Sequence, residues 1–149
     1  MSLQKKPRII GVIPARLGSQ RLARKVLREI AGKLLVEQVY SRASASSLLD
    51  ELWVATDSEE VRSACEKRKI SVLMTSEKHP SGTDRIWEVM TLRPGDIYAN
   101  IQGDEPLVRP EHLEALLKPF MEHGNIRVST LKTKISKEPA QSPNVVKVI

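Results

Sequence analysis

The sequence has 149 residues, 40% hydrophobic and 28% charged, which suits a globular domain with a real core. Aromatics make up only 3%, so that core is expected to be aliphatic, and the single cysteine, Cys65, excludes an intramolecular disulfide and a cysteine-based metal site. The net charge of +6 is uneven: residues 1–50 carry ten Lys/Arg against three Asp/Glu, while residues 51–149 carry fourteen against fifteen. The whole excess therefore lies in the first third, which favours a local anion site over a general basic coat.

The elements alternate. RIIGVI (8–13) is a short β-branched run that reads as a strand. KLLVEQVYSRA (33–43) places Leu35, Val39 and Ala43 at helical spacing. ELWVAT (51–56) is a second strand. Asp57, with Glu60 three residues on, is expected to cap the next helix, whose apolar stripe is Val61, Ala64 and Cys65. ISVLMT (70–75) is a third strand. SGTDRIWEVM (81–90) turns into a helix with Ile86, Val89 and Met90 inward. DIYANI (96–101) is a fourth strand, and Pro110 opens a helix with Leu113, Leu116, Leu117, Phe120 and Met121 as its stripe. Pro119 should kink or end that helix. IRVSTLK (126–132) and VVKVI (145–149) read as further strands. Trp53 and Trp87 are expected in or near the core, and His79 reads as a plain loop residue. No apolar run approaches the length of a membrane span, and no signal-like apolar stretch follows MSLQKKPR, so the expected location is cytoplasmic.

Strands alternating with helices predict an α/β fold, a three-layer sandwich around a mostly parallel sheet. Ligands in such sheets bind beyond the C-terminal strand ends. The loops there are PARLGSQR, ATDSEE, MTSEKHPSGTDR and QGDEP. The first is neither a Walker A loop nor a dinucleotide fingerprint. Gly18 and Ser19 allow backbone N–H groups to face an anion, Arg16 and Arg21 suit a bidentate grip on phosphate oxygens, and Lys25 suits a leaving group that gains charge. A solvated basic loop accounts for the same residues. In QGDEP, Asp104 suits a Mg²⁺ that also binds phosphates, Gly103 permits close approach, and Gln102 suits a polar substrate. An ordinary turn accounts for these too. Ser81, Gly82 and Thr83 offer small donors at a helix start, and also a helix cap. Phosphate, Mg²⁺ and carboxylate together form the charge set of phosphoryl or nucleotidyl transfer. Nucleic acid is a poor partner, because no aromatics accompany the basic loop for base stacking.

The motifs VIPARLGSQRLARK, LWVATDSEEV, VLMTSEKHPSGTDRIWEV, NIQGDEPLV and SPNVVKVI occur in one order. Together they resemble the N-terminal part of the CMP-Kdo synthetases, the 3-deoxy-manno-octulosonate cytidylyltransferases. The resemblance covers nearly the whole chain and implies a Rossmann-like nucleotide-diphospho-sugar transferase fold. It implies that CTP and Kdo give CMP-Kdo and pyrophosphate with Mg²⁺, for lipopolysaccharide biosynthesis. By this similarity Arg16, Ser19, Arg21 and Lys25 hold the triphosphate. Backbone at Ala15 and Arg16, with Ser81, Gly82 and Arg85, contacts the cytidine side. Gln102 lies between nucleotide and sugar, and Asp104 ligates Mg²⁺. Arg16, Lys25 and Asp104 are the implied catalytic residues. Two other readings are a cytidylyltransferase for another acidic sugar, such as a sialic acid, and a degenerate relative that binds nucleotide without turnover.

The chain departs from the family where its usual RLPGKP reads RLARKV. Pro and Gly become Ala23 and Arg24, the following Pro becomes Val26, and Lys25 keeps its place. Family members also continue well past VVKVI, where the sugar pocket, a second metal-binding aspartate and a homodimer contact are implied. Residues 1–149 are therefore expected to be the nucleotide-binding part of a single α/β nucleotidyltransferase domain.

Overall fold

The computed structural model describes residues 6–18, 24–134, 136 and 143. Ser19, Arg21 and the strand expected over 145–149 lie outside the described residues. Two compact units are present, Met1–Glu114 and Ala115–Ile149.

The first unit is built on β1 (Ile9–Pro14), a run of β-branched residues whose Ile9, Ile10, Val12 and Ile13 are fully buried. Burial on both faces is what a central parallel strand requires. β1 pairs in parallel with β4 (Glu51–Thr56) on one side and β6 (Ile97–Asn100) on the other, and β5 (Val72–Met74) extends the sheet beyond β4. The order is β5-β4-β1-β6. The chain steps outward from β1 to β4 to β5 and then returns to the far side of β1. α1 (Leu35–Ala43) packs against β4, α2 (Glu59–Lys67) against β4 and β5, and α3 (Gly82–Leu92) against β1, β4 and β6; the right-handed crossovers usual for parallel strands set α1 and α2 on the face opposite α3. Ile10, Val12 and Ala55 pack with Ile86 and Val89 of α3, flanked by Trp53, Leu73 and Tyr98. The core is aliphatic, as the scarcity of aromatics implies. Cys65 is a buried residue of α2, and burial pushes its thiol up to about 11.

The basic segment after β1 returns through a 3-10 turn, Lys25–Leu27, into a small antiparallel hairpin of β2 (Glu29–Ile30) and β3 (Lys33–Leu34). Ala31 and Gly32 link these strands with φ of +50° and +78°, the left-handed pair that a tight hairpin uses. The helix expected from residue 33 therefore begins at Leu35, because Lys33 and Leu34 are taken by the hairpin.

Several expectations are corrected. Ser58, not Asp57, caps α2, its hydroxyl accepting from Val61 N–H at 3.3 Å. Asp57 is drawn instead to a buried arginine. Trp87 is 67% exposed and Met90 42% exposed, since both lie off the α3 stripe that carries Ile86 and Val89. α4 (Pro110–Glu122) buries Leu113 and Leu117 but leaves Met121 exposed. It continues past Pro119, whose carbonyl accepts from His123 N–H at 2.9 Å. Residues 126–132 form no strand, for a strand needs a neighbour for its backbone groups and none occurs among the described residues. No helix among the described residues is long and apolar enough to cross a membrane.

Candidate functional site

The order β5-β4-β1-β6 reverses direction between β1 and β6, and in open α/β sheets the crevice beyond the carboxyl ends at such a reversal is the binding position. The backbone there is tightly drawn together. Ala15 N–H donates to Ala55 O at 2.9 Å, and Ile101 N–H donates to Val12 O at 2.9 Å, so the ladder continues past both strand ends. Pro14 sits at the junction of three loops. A Cβ placed on Gly103 would lie 2.9 Å from Pro14 O, closer than real side chains come, and one placed on Gly82 would touch the Pro14 ring at 3.5 Å. Gly103 thus allows the loop after β6 to lie against the loop after β1.

Beyond these strand ends Lys25 and Asp104, 79 residues apart, form an ion pair, Nζ to Oδ2 at 2.7 Å. Both side chains remain partly exposed, 36% and 45%, so the charges are accessible to a ligand. The cation and the carboxylate expected on one rim of the sheet are therefore direct partners. Among the described residues no three His, Cys, Asp or Glu side chains gather as a protein cage for a metal. A lone, half-exposed carboxylate fits Mg²⁺, which is commonly held by one or two carboxylates together with substrate phosphates.

Lys25 is presented by an unusual backbone. Arg24, just before the 3-10 turn, has φ +56° and ψ 27°, the left-handed region. Its N–H donates to Leu17 O at 3.3 Å, closing the basic loop at its base, and its guanidinium pairs with Glu60 on α2. This is the position where the resembled family carries Gly, the residue that enters this region without steric cost. A direct comparison follows: Arg24→Gly is expected to be more stable than Arg24→Ala by about 1 kcal/mol, because both lose the ion pair and only Gly relieves the backbone. Urea unfolding of the two variants measures the difference, and equal midpoints would show the backbone to be unstrained.

Arg16 leaves β1 half-buried and is already anchored. Its Nη2 donates to His79 O, and its Nη1 lies 3.4 Å from Pro80 O. Among the described residues its buried Nε has no hydrogen-bond acceptor. Ser81 caps α3, its Oγ accepting from Asp84 N–H at 3.2 Å and donating to the Asp84 carboxylate. Gln102 is exposed, with its amide on Asn100 Oδ1 at 3.2 Å. Arg85 departs from the expectation of a nucleotide contact. It is completely buried; Nη1 donates to Thr75 Oγ1, Nη2 donates to Asp57 Oδ2, and Nε has no partner among the described residues. Its side chain ties the ends of β4 and β5 to α3 and leaves no surface for a ligand here.

The structure thus gathers Ala15, Arg16, Lys25, Ser81, Gly82, Gln102 and Asp104 on the loops at the carboxyl ends of the sheet, and turns Arg85 inward. Sequence reasoning missed Asp57 and Thr75, which hold Arg85, and His79 and Glu88. His79 Nε2 pairs with the Glu88 carboxylate. An unpaired-looking Asp just after a strand and an Arg one turn into a helix on the same rim were the available signals.

A family model described as cytidylyltransferase matches residues 10–149. The chain is 47% identical over 140 residues to the 3-deoxy-manno-octulosonate cytidylyltransferase of Koribacter versatilis, covering 94% of this chain and 53% of that protein. It is 44% identical over 138 residues to the protein of the same name from Escherichia coli, covering 93% of this chain and 56% of that one. A solved structure of CMP:2-keto-3-deoxy-manno-octonic acid synthetase complexed with CTP is 43% identical and superposes with a TM-score of 0.78, covering 80% of this chain and 49% of that one. The chain spans about half the length of the curated relatives it matches.

Proposed function

The chain belongs to the cytidylyltransferase family, and from that premise we propose that it is the nucleotide-binding part of a single-domain enzyme that activates Kdo as CMP-Kdo. The observation that carries this reading is the Lys25–Asp104 pair at the β1/β6 reversal. It supplies one cation for phosphate oxygens and one carboxylate for a metal where such sheets bind ligands. In the proposed reaction the anomeric hydroxyl of the sugar attacks the α-phosphorus of CTP. A new P–O bond forms, the bond from the α-phosphorus to the bridging oxygen breaks, pyrophosphate leaves, and the hydroxyl proton passes to solvent. Arg16 and Lys25, with Ser19 and Arg21 of the same loop, hold the triphosphate. Ala15, Ser81 and Gly82 border the cytidine, and Gln102 lies toward the sugar. Asp104 holds Mg²⁺, which when bound neutralises charge that builds on the phosphates. The dimer, the cytoplasmic location and the link to lipopolysaccharide precursors belong to the same proposal.

Ligand-induced stabilisation tests it. CTP with Mg²⁺ at about 100 times Kd is expected to stabilise the protein by ~2.7 kcal/mol, because the ligand binds only the folded form. Absence of any rise in Tm at millimolar CTP would remove the nucleotide site. With the complete chain, pyrophosphate release with Kdo but not with a sialic acid identifies the sugar, and the opposite result reassigns it.

A further inference from the structure

We propose that Glu88 is a positioning residue that sets the guanidinium of Arg16 for the triphosphate, a role that rests on the nucleotide-site reading above. Glu88 lies on α3 and, among the described residues, makes no hydrogen bond to Arg16 or to the loop after β6. Its Oε2 accepts from Ser76 N–H at 2.8 Å and from His79 Nε2. One carboxylate oxygen therefore pins both ends of the segment 76–79. That segment supplies the His79 carbonyl to Arg16, and the adjoining Pro80 carbonyl faces the same guanidinium. The contacts run in series from α3 to Glu88, to the loop, to two carbonyls and to Arg16.

The series is well placed to act on Arg16. The His79 and Glu88 side chains are only 16% and 28% exposed, so their pairing is shielded from full solvent screening. The His79 hydrogen bond, and next the Ser76 N–H, hold the Glu88 carboxyl below the usual carboxylate range, so the acceptor is ionised at neutral pH. An arginine grips phosphate through the plane of its fork, and a fork already fixed by two carbonyls loses less freedom on binding.

The test is a thermodynamic cycle on nucleotide binding, read by titration calorimetry with Mg²⁺. Glu88→Gln keeps an acceptor for Ser76 N–H and removes the charge that faces His79, which preserves the fold. It is expected to weaken CTP roughly fivefold, within the usual range for residues coupled in one network, and to leave CMP nearly unchanged. In an Arg16→Ala background the same substitution is expected to have no further effect, and His79→Gln, which keeps a donor, is expected to retain most of the CTP affinity. Equal losses for CTP and CMP, or an undiminished loss without Arg16, would overturn the proposal, since a merely structural role behaves that way. The Arg16 side-chain N–H signals in NMR, followed without nucleotide, separate the two levels of inference. They are expected to sharpen less and exchange faster in Glu88→Gln. That change in a protein that binds no CTP would leave the Glu88–Arg16 link standing and remove the proposed function; unchanged signals would remove the link itself.

Discussion

Asp104→Asn is expected to remove the Mg²⁺-dependent part of CTP binding, with a loss of at least about 10²-fold in turnover of the complete enzyme, the size seen when one preorganised electrostatic group is deleted. The substitution is nearly isosteric, so the loop geometry set by Gly103 against Pro14 is retained. What changes is charge. Asn offers one neutral oxygen to a hard dication and leaves Lys25 without its partner at 2.7 Å. Because that pair is about two-fifths exposed, its removal is expected to change the stability of the ligand-free protein by less than about 1 kcal/mol. The two readouts therefore separate cleanly: Tm without ligand stays almost constant, while the rise in Tm with CTP loses its dependence on Mg²⁺. If the Mg²⁺ dependence survives intact, Asp104 is not the metal ligand.

The second large effect is on stability. Asp57→Ala is expected to destabilise the fold by about 3 kcal/mol, since it strands a charge in the interior. Arg85 has no exposed surface, and Asp57 supplies its only carboxylate among the described residues. Thr75 remains as a neutral acceptor for Nη1, and Nε is already without one, so the loss of Asp57 leaves one hydrogen bond for a full positive charge. For a domain of this size the Tm is expected to fall by roughly 6–12 °C. Replacing both partners, Asp57→Ala with Arg85→Leu, is expected to recover much of the loss, because neither charge then needs a partner. A double variant no more stable than Asp57→Ala alone would show that Arg85 contributes through packing of its stem rather than through its charge.

Glu60 and Arg24 illustrate a different kind of consequence. Glu60 at the start of α2 suggests a helix cap by its spacing from Asp57. In the structure its carboxylate instead holds the residue that precedes Lys25. The strained φ of Arg24 is invisible to composition, and only the contrast with the glycine of the resembled family marks the position. Arg85 is similar. A charged residue one turn into an amphipathic helix reads as a ligand contact or a solvated group. Its burial became possible because β4 and β5 end side by side and bring Asp57 and Thr75 to it from 28 and 10 residues away.

The strands and helices of the first unit were legible because their signals are local. β-branched runs such as IIGVI and stripes such as Val61, Ala64 and Cys65 report burial within one strand or one helix. Residue type at strand ends was legible too: cations after β1 and an aspartate after β6 are chemistry that needs no coordinates to name. Local signals did not extend to 126–132, whose apolar pattern formed no strand, or to Trp87 and Met90, whose hydrophobicity did not decide which way they face.

The amino-acid sequence by itself determined the α/β alternation, the aliphatic core and the set of charges offered at the loops. The tertiary structure alone decided the pairings: Lys25 with Asp104, Arg24 with Glu60, Arg85 with Asp57, and Glu88 with His79 behind Arg16. The reason is one of range. Propensity and periodicity act over a turn or a strand, whereas an ion pair depends on the distance between residues that the strand order β5-β4-β1-β6 brings together.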